Sequence, residues 1–190
     1  MEKKPFVTKE QLEEITKTYP TPFHLYDEKG IRENARQLKE AFSWNKGYKE
    51  YFAVKATPNP FILNILKEYG CGTDCSSMTE LMMSKACGFS GSDIMFSSND
   101  TPLEEFAYAA KLGAIINLDD ITHIECVEKT LGYIPETISC RFNPGGVFKI
   151  SNDIMDNPGD SKYGMTTEQI FEAFKILKAK GAKNFGIHAF

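Results

Sequence analysis

The chain has 190 residues, 42% hydrophobic and 25% charged, with 26 acidic and 22 basic side chains giving a net charge of −4. That is the profile of a globular domain with one sizeable core, and the interspersed charges offer no basic stripe to nucleic acid. No apolar run approaches the roughly 20 residues of a membrane-spanning helix, and the first ten residues lack the apolar stretch of a secretory leader. The five cysteines (Cys71, Cys75, Cys87, Cys126 and Cys140) are odd in number and form no Cys-x-x-Cys pair. Free thiols in a reducing cytoplasm fit that pattern. The spacing of Cys71, Cys75, His123 and Cys126 matches no zinc motif, so no metal site is expected.

In chain order, Thr8 can cap a short helix to Lys17, and Thr21–Asp27 reads as a β-like run. Ile31, Ala35, Leu38 and Phe42 share one side of an amphipathic helix over residues 30–43. Residues 1–48 are therefore a lead-in, and residues 49–190 a second domain built on a repeat. Each unit of the repeat is a short β-rich run, a polar turn, an amphipathic helix and a glycine. Tyr51–Val54 is the first run, followed by a helix over 60–69 that stops at Gly70. Gly72–Cys75 is a weak second strand, and Ser77 with Glu80 has capping-box spacing for a helix ending at Gly88. Met78, Met82 and Met83 read as core of that helix. Gly70-Cys-Gly72 is no dinucleotide loop, since its third glycine and helix register are missing.

Asp93–Ser97 is the third strand. Thr101, Pro102 and Glu104 predict a helix with proline at its first position, ending near Gly113. Ala114–Leu118 is the fourth strand, Asp120 a cap for the next helix, and Thr137–Phe142 the fifth strand. A polar loop runs from Asn143 to Met165. Thr166 and Gln169 open a helix to Lys180, and Asn184–His188 is the sixth strand. Alternating strands and helices mean parallel strands joined by crossover helices. A (β/α)8 barrel takes about 250 residues and eight units. Six units ending at Phe190 predict a partial TIM-type barrel, truncated before its last strands.

Lys55 follows four apolar residues at the end of the first strand. The carboxyl ends of barrel strands carry the active site. A lysine in that partly dry mouth is desolvated, which favours a neutral, nucleophilic amine. From position alone, an exposed turn lysine is the default. The surrounding residues argue otherwise.

Tyr51-Phe-Ala-Val-Lys-Ala-Thr-Pro-Asn-Pro60 resembles the cofactor-lysine motif of the fold-type III pyridoxal-phosphate enzymes. Thr21-Pro-Phe-His-Leu-Tyr-Asp27 resembles that family's opening segment, and Gly72-Thr-Asp-Cys-Ser-Ser-Met-Thr-Glu80 resembles a second block. Arg141-Phe-Asn-Pro-Gly145, Ser161-Lys-Tyr-Gly164 and Gly186-Ile-His188 resemble three more. All occur in the family's order over residues 21–190, and the Asn143-Pro-Gly145 and Ser161-Lys-Tyr-Gly164 pair tilts the match toward diaminopimelate decarboxylase, with carboxynorspermidine decarboxylase close behind.

The resemblance implies pyridoxal 5'-phosphate bound covalently to Lys55, decarboxylation of a small amino acid and, in the full-length protein, a homodimer active in lysine biosynthesis. It also implies that the phosphate loop and a C-terminal β domain follow residue 190. A chain of these 190 residues alone is therefore expected to be inactive. Asp74 is expected to line the cofactor pocket, or else to cap a turn. Arg141 is expected to organise polar groups beneath the cofactor ring, or else simply to pair with a carboxylate. His188 matches the first histidine of the family's Gly-x-His-Phe-His, which leaves Phe190 at the ring-stacking position and the choice between the two open.

The competing readings are an ornithine, arginine or carboxynorspermidine decarboxylase, an alanine racemase, a non-catalytic pyridoxal-phosphate carrier, and a plain α/β module with a structural Lys55. His24 and His123 have no partner in the sequence pattern and are read as structural, and Glu80 as the N3 half of a capping box.

Overall fold

The computed structural model describes residues 4–147, 159 and 161–189. Contacts divide the chain into two compact units, residues 1–46 and 47–190. In the first, α1 (Lys9–Thr18) opens on a full capping box. Thr8 Oγ1 accepts from the Gln11 N–H, and Gln11 Oε1 accepts from the Thr8 N–H. α2 (Glu28–Ala41) starts at Asp27, whose carboxylate accepts from the Gly30 N–H at 3.0 Å, and it buries Ala35. The β-like run at 21–27 forms no strand. All strands of the described residues lie in the second unit.

The second unit alternates throughout. Its strands are β1 (Tyr51–Ala53), β2 (Gly72–Cys75), β3 (Ile94–Phe96), β4 (Ile115–Leu118), β5 (Thr137–Phe142) and β6 (Asn184–Ala189). Between them run α3 (Pro60–Glu68), α4 (Met78–Ala86), α5 (Leu103–Lys111), α6 (His123–Leu131) and α7 (Thr167–Ala179). The strands lie side by side in sequence order, every neighbouring pair parallel. A doubly wound sheet would reverse direction at a switch point. Consecutive order without reversal is the winding of a (β/α)8 barrel, as the repeat predicts.

Alternation along each strand sorts the sheet into two faces. Cys75, Phe96, Ile116, Leu118 and Ile138 are fully buried in one core cluster with Leu63, Leu81, Phe106, Val127 and Leu177 from the helices. The other face is polar. Asp74 lies beside Met95, Ser139 lies between Asn117 and Gly186, and Arg141 lies beside His188. Gly186 is required where it stands: a Cβ there would sit 3.0 Å from both Cβ and Oγ of Ser139. A Cβ on Gly72 would meet the Asp93 carbonyl oxygen at 2.5 Å.

Three local expectations are corrected. α5 begins at Leu103, with Pro102 as its N-cap in an extended conformation and no capping bond from Thr101. Asp120 acts two residues ahead of Thr122, the N-cap of α6: its Oδ1 accepts from the N–H and hydroxyl of Thr122. Met82 is exposed, because Leu81 and Ser84 take the buried stripe of α4 and Met83 only flanks the core.

Candidate active site

β1 ends at Ala53, and a 3-10 turn over Val54–Ala56 follows. Val54 is completely buried and pins this turn to the core. Its neighbour Lys55 is thereby carried to the rim at the carboxyl end of the strand, where it is exposed. The expected shelter is not observed. The turn sends Val54 inward and Lys55 outward, one residue past the strand. The amine makes no hydrogen bond or ion pair among the described residues, but its charge acts on both Asp74 and His188.

Asp74 projects from β2 onto the polar face. Its Oδ1 accepts from the Ser97 hydroxyl at 2.5 Å, on the segment after β3. This cross-strand bond replaces the turn cap weighed from sequence. Burial raises the pKa of the Asp74 carboxyl, while the Ser97 bond and the His188 and Lys55 charges pull it back.

Arg141, at the end of β5, pairs with Asp119, which follows β4; the separation is 3.0 Å. Both are well shielded, with side chains 14% and 7% exposed. The carboxylate partner weighed for Arg141 is thus present. Asp119 also accepts from the Gly164 N–H at 3.4 Å. The Tyr163 ring lies 5.2 Å from the Arg141 guanidinium carbon. Asn143 Nδ2 donates to the Tyr163 carbonyl at 2.7 Å, and the Met165 N–H donates to the Arg141 carbonyl at 2.8 Å. The Arg141–Gly145 and Ser161–Gly164 segments therefore lock together over the end of β5.

His188 lies one strand over, beside Arg141. Burial lowers its pKa, and the Arg141 charge adds to that; Asp74 and Asp119 act the other way. The ring is therefore held toward its neutral form. Its Nδ1 is buried and has no hydrogen-bond partner among the described residues. Phe190, the other stacking candidate, lies outside the described residues.

Glu80 folds back over the start of α4. It accepts from the Ser76 N–H and from the Ser76 and Ser77 hydroxyls, so it caps one residue earlier than a standard box. Glu105 of α5 accepts from the Met78 N–H at 2.9 Å.

Sequence reasoning missed Asp119, Ser97 and the buried pair in which Ser139 Oγ donates to Asn117 Oδ1 at 2.9 Å. The available signal was Asn117 itself, a polar residue inside the apolar run Ile-Ile-Asn-Leu.

An exposed amine, an imidazole with an orphaned nitrogen, and a carboxylate share one end and one face of a parallel sheet. An amine so placed can condense with an aldehyde. The class so defined is a barrel-type domain of parallel strands with an amine at their carboxyl ends.

Residues 28–189 match the family model of the pyridoxal-dependent decarboxylases, pyridoxal binding domain. The chain belongs to this family. It is 40% identical over 177 residues to protein TabA of Pseudomonas amygdali pv. tabaci, covering 93% of this chain and 41% of that protein. It is 29% identical to diaminopimelate decarboxylase of Thermoplasma acidophilum, covering 93% of this chain and 42% of the relative. The crystal structure of diaminopimelate decarboxylase from Helicobacter pylori complexed with L-lysine matches with a TM-score of 0.78 at 28% identity, covering 94% of this chain and 46% of that one. The chain thus spans less than half the length of the relatives it matches.

Proposed function

We propose that this chain supplies the cofactor-binding end of a pyridoxal-phosphate amino-acid decarboxylase, with meso-diaminopimelate as substrate and lysine as product. The observation that carries the reading is Lys55 at the carboxyl end of β1, its charge acting on Asp74 of β2 and His188 of β6. When bound, pyridoxal phosphate supplies an aldehyde that condenses with amines and a ring that accepts the electron pair left as CO2 departs.

The chain's own residues then have separate tasks. Lys55 provides the amine that holds the cofactor and, once released, is placed to carry a proton. Asp74, held by Ser97, sets a carboxyl on the cofactor-facing side of the sheet. His188 offers a neutral ring whose buried Nδ1 awaits a donor or acceptor. Arg141 stands beside it as a fixed cation, paired with Asp119. The diaminopimelate assignment is supported by the diaminopimelate decarboxylases of Thermoplasma acidophilum and Helicobacter pylori among the relatives and by the Arg141–Gly145 and Ser161–Gly164 blocks. Lysine biosynthesis, a homodimer and a cytoplasmic location belong to the same reading. The last is supported by five cysteines in the free state.

A panel of meso-diaminopimelate, ornithine, arginine, carboxynorspermidine and alanine, incubated with pyridoxal phosphate and a protein spanning the relatives' full length, tests the substrate. CO2 release is expected from meso-diaminopimelate first. Preference for another member would overturn the diaminopimelate assignment, and racemised alanine without CO2 would overturn decarboxylation. The 190-residue chain by itself is expected to hold cofactor weakly and release no CO2. Full cofactor occupancy with CO2 release by this chain would contradict that part.

A further inference from the structure

Ser97 follows β3, and no sequence motif singles it out. Its backbone is fastened to β2: the Ser97 N–H donates to the Cys75 carbonyl at 2.9 Å, which carries the ladder one residue past the strand. Its chain neighbours Phe96 and Ser98 are buried at 0% and 3% exposure, so alternation turns the Ser97 side chain to the opposite face. That is the polar face, because Met95, two residues earlier, lies beside Asp74 in the β2–β3 register. There the Ser97 hydroxyl donates to Asp74 Oδ1 at 2.5 Å, a short separation of the kind an O–H donor makes to a charged carboxylate. No other hydrogen bond reaches the Asp74 carboxyl among the described residues.

We infer that Ser97 is a positioning residue: its hydroxyl ties one oxygen of Asp74 to the β3 side and supplies the donor that keeps this half-buried carboxyl an anion on the polar face. The inference deepens the cofactor-site reading and rests on it for its purpose, since the charge so held is one that acts on His188. Its geometry is independent of any ligand. A carboxylate drawn partly out of water is costly to keep charged, and a hydrogen bond given to the charged form lowers that cost. Replacing Ser97 by alanine removes the donor where it stands. No side chain has to move for the effect to appear.

The titration of Asp74 separates this role from packing. Burial raises the Asp74 pKa, and the Ser97 bond is the largest influence lowering it. The other groups act through charge: His188 on β6 and Lys55 after β1 lower it, and Glu80 on α4 raises it. Glu80 is itself committed to Ser76 and Ser77. All three charges are still present when Ser97 is replaced, so loss of the hydroxyl moves the Asp74 pKa up. A residue that only filled space would change the melting temperature and leave the Asp74 titration where it was.

The test is an NMR pH titration of carboxyl-labelled aspartate in a protein spanning the relatives' full length, without cofactor, with the Asp74 signal identified by its loss in Asp74→Asn. Ser97→Ala is the primary variant, and Ser97→Cys, close to serine in shape but a weak donor, is the second; Ser97→Thr restores a hydroxyl. Circular dichroism and thermal unfolding verify the fold of each. The expected result is an upward shift of the Asp74 midpoint in Ser97→Ala, a smaller one in Ser97→Cys and a return toward the parent value in Ser97→Thr. An unmoved or lowered midpoint in folded Ser97→Ala or Ser97→Cys would overturn the proposal, as would a Ser97→Thr midpoint as high as that of Ser97→Ala. Failure of both the alanine and cysteine variants to fold would also overturn it, leaving Ser97 a structural role alone. Because no cofactor is present, loss of the decarboxylase reading would not alter this outcome.

Discussion

Lys55 owes its position to Val54. A fully buried residue at the first place of the 3-10 turn fixes where the next side chain goes. The charge of this exposed amine acts on Asp74 and His188. Asp74 carries a stability penalty. Its pKa is raised in the folded state, so folding takes up protons and stability falls as pH rises through that pKa. Asp74→Asn, which keeps an acceptor for Ser97, should raise the melting temperature at pH 7. The gain should vanish below about pH 4, where the unfolded carboxyl is also protonated; an equal gain at both pH values would contradict the account.

Thiol reactivity tests the apolar face, which holds both Cys75 and Cys140. Burial pushes the Cys75 thiol up to about 11 and the Cys140 thiol up to about 12. Native-state alkylation should spare both and label them only after unfolding; mass spectrometry of labelled peptides reads this directly. Lys55, Asp74 and Arg141 were picked out by the resemblance of the blocks around them to the family's motifs, since position alone leaves Lys55 an exposed turn lysine. Asp119 and Ser97 were not. Their roles come from partners 22 and 23 positions away, and local pattern carries no such information.

Helices were the most legible elements, for the physical reason that caps are local. Thr166 and Gln169 exchange side-chain-to-backbone bonds at the start of α7, as Thr8 and Gln11 do at α1. Thr166→Ala should cost about 1 kcal/mol, read from denaturant unfolding; no change would mean that the cap is redundant. The start of α5 was less legible, since Pro102 serves equally as N-cap or first helical residue in a sequence pattern. The 21–27 run was misread because β-propensity reports a tolerance for extended backbone, and a strand also needs a neighbour. The helix–sheet layer has its own test. Phe106 is 1% exposed and meets Phe96 edge-on at 6.2 Å. Phe106→Ala should cost about 3–5 kcal/mol, and a loss below about 1 kcal/mol would place that ring outside the effective core.

At the scale of the molecule, six parallel strands in sequence order follow from the repeat of strand, turn, helix and glycine. Each crossover has one favoured hand, so successive units add on the same side. This ordering brings positions 55, 74, 141 and 188 to the same end of the sheet, because parallel strands carry all their carboxyl ends to one side. The convergence was readable as topology. The exposure of Lys55 was not, since it depends on how a three-residue turn seats one valine.

Borohydride reduction of a protein spanning the relatives' full length, mixed with pyridoxal phosphate and followed by peptide mapping, tests the central claim most directly. Reduction should fix the cofactor on the peptide containing Lys55, and Lys55→Ala should abolish that label. A label spread over surface lysines, or retained in Lys55→Ala, would contradict the assignment of Lys55 as the cofactor lysine.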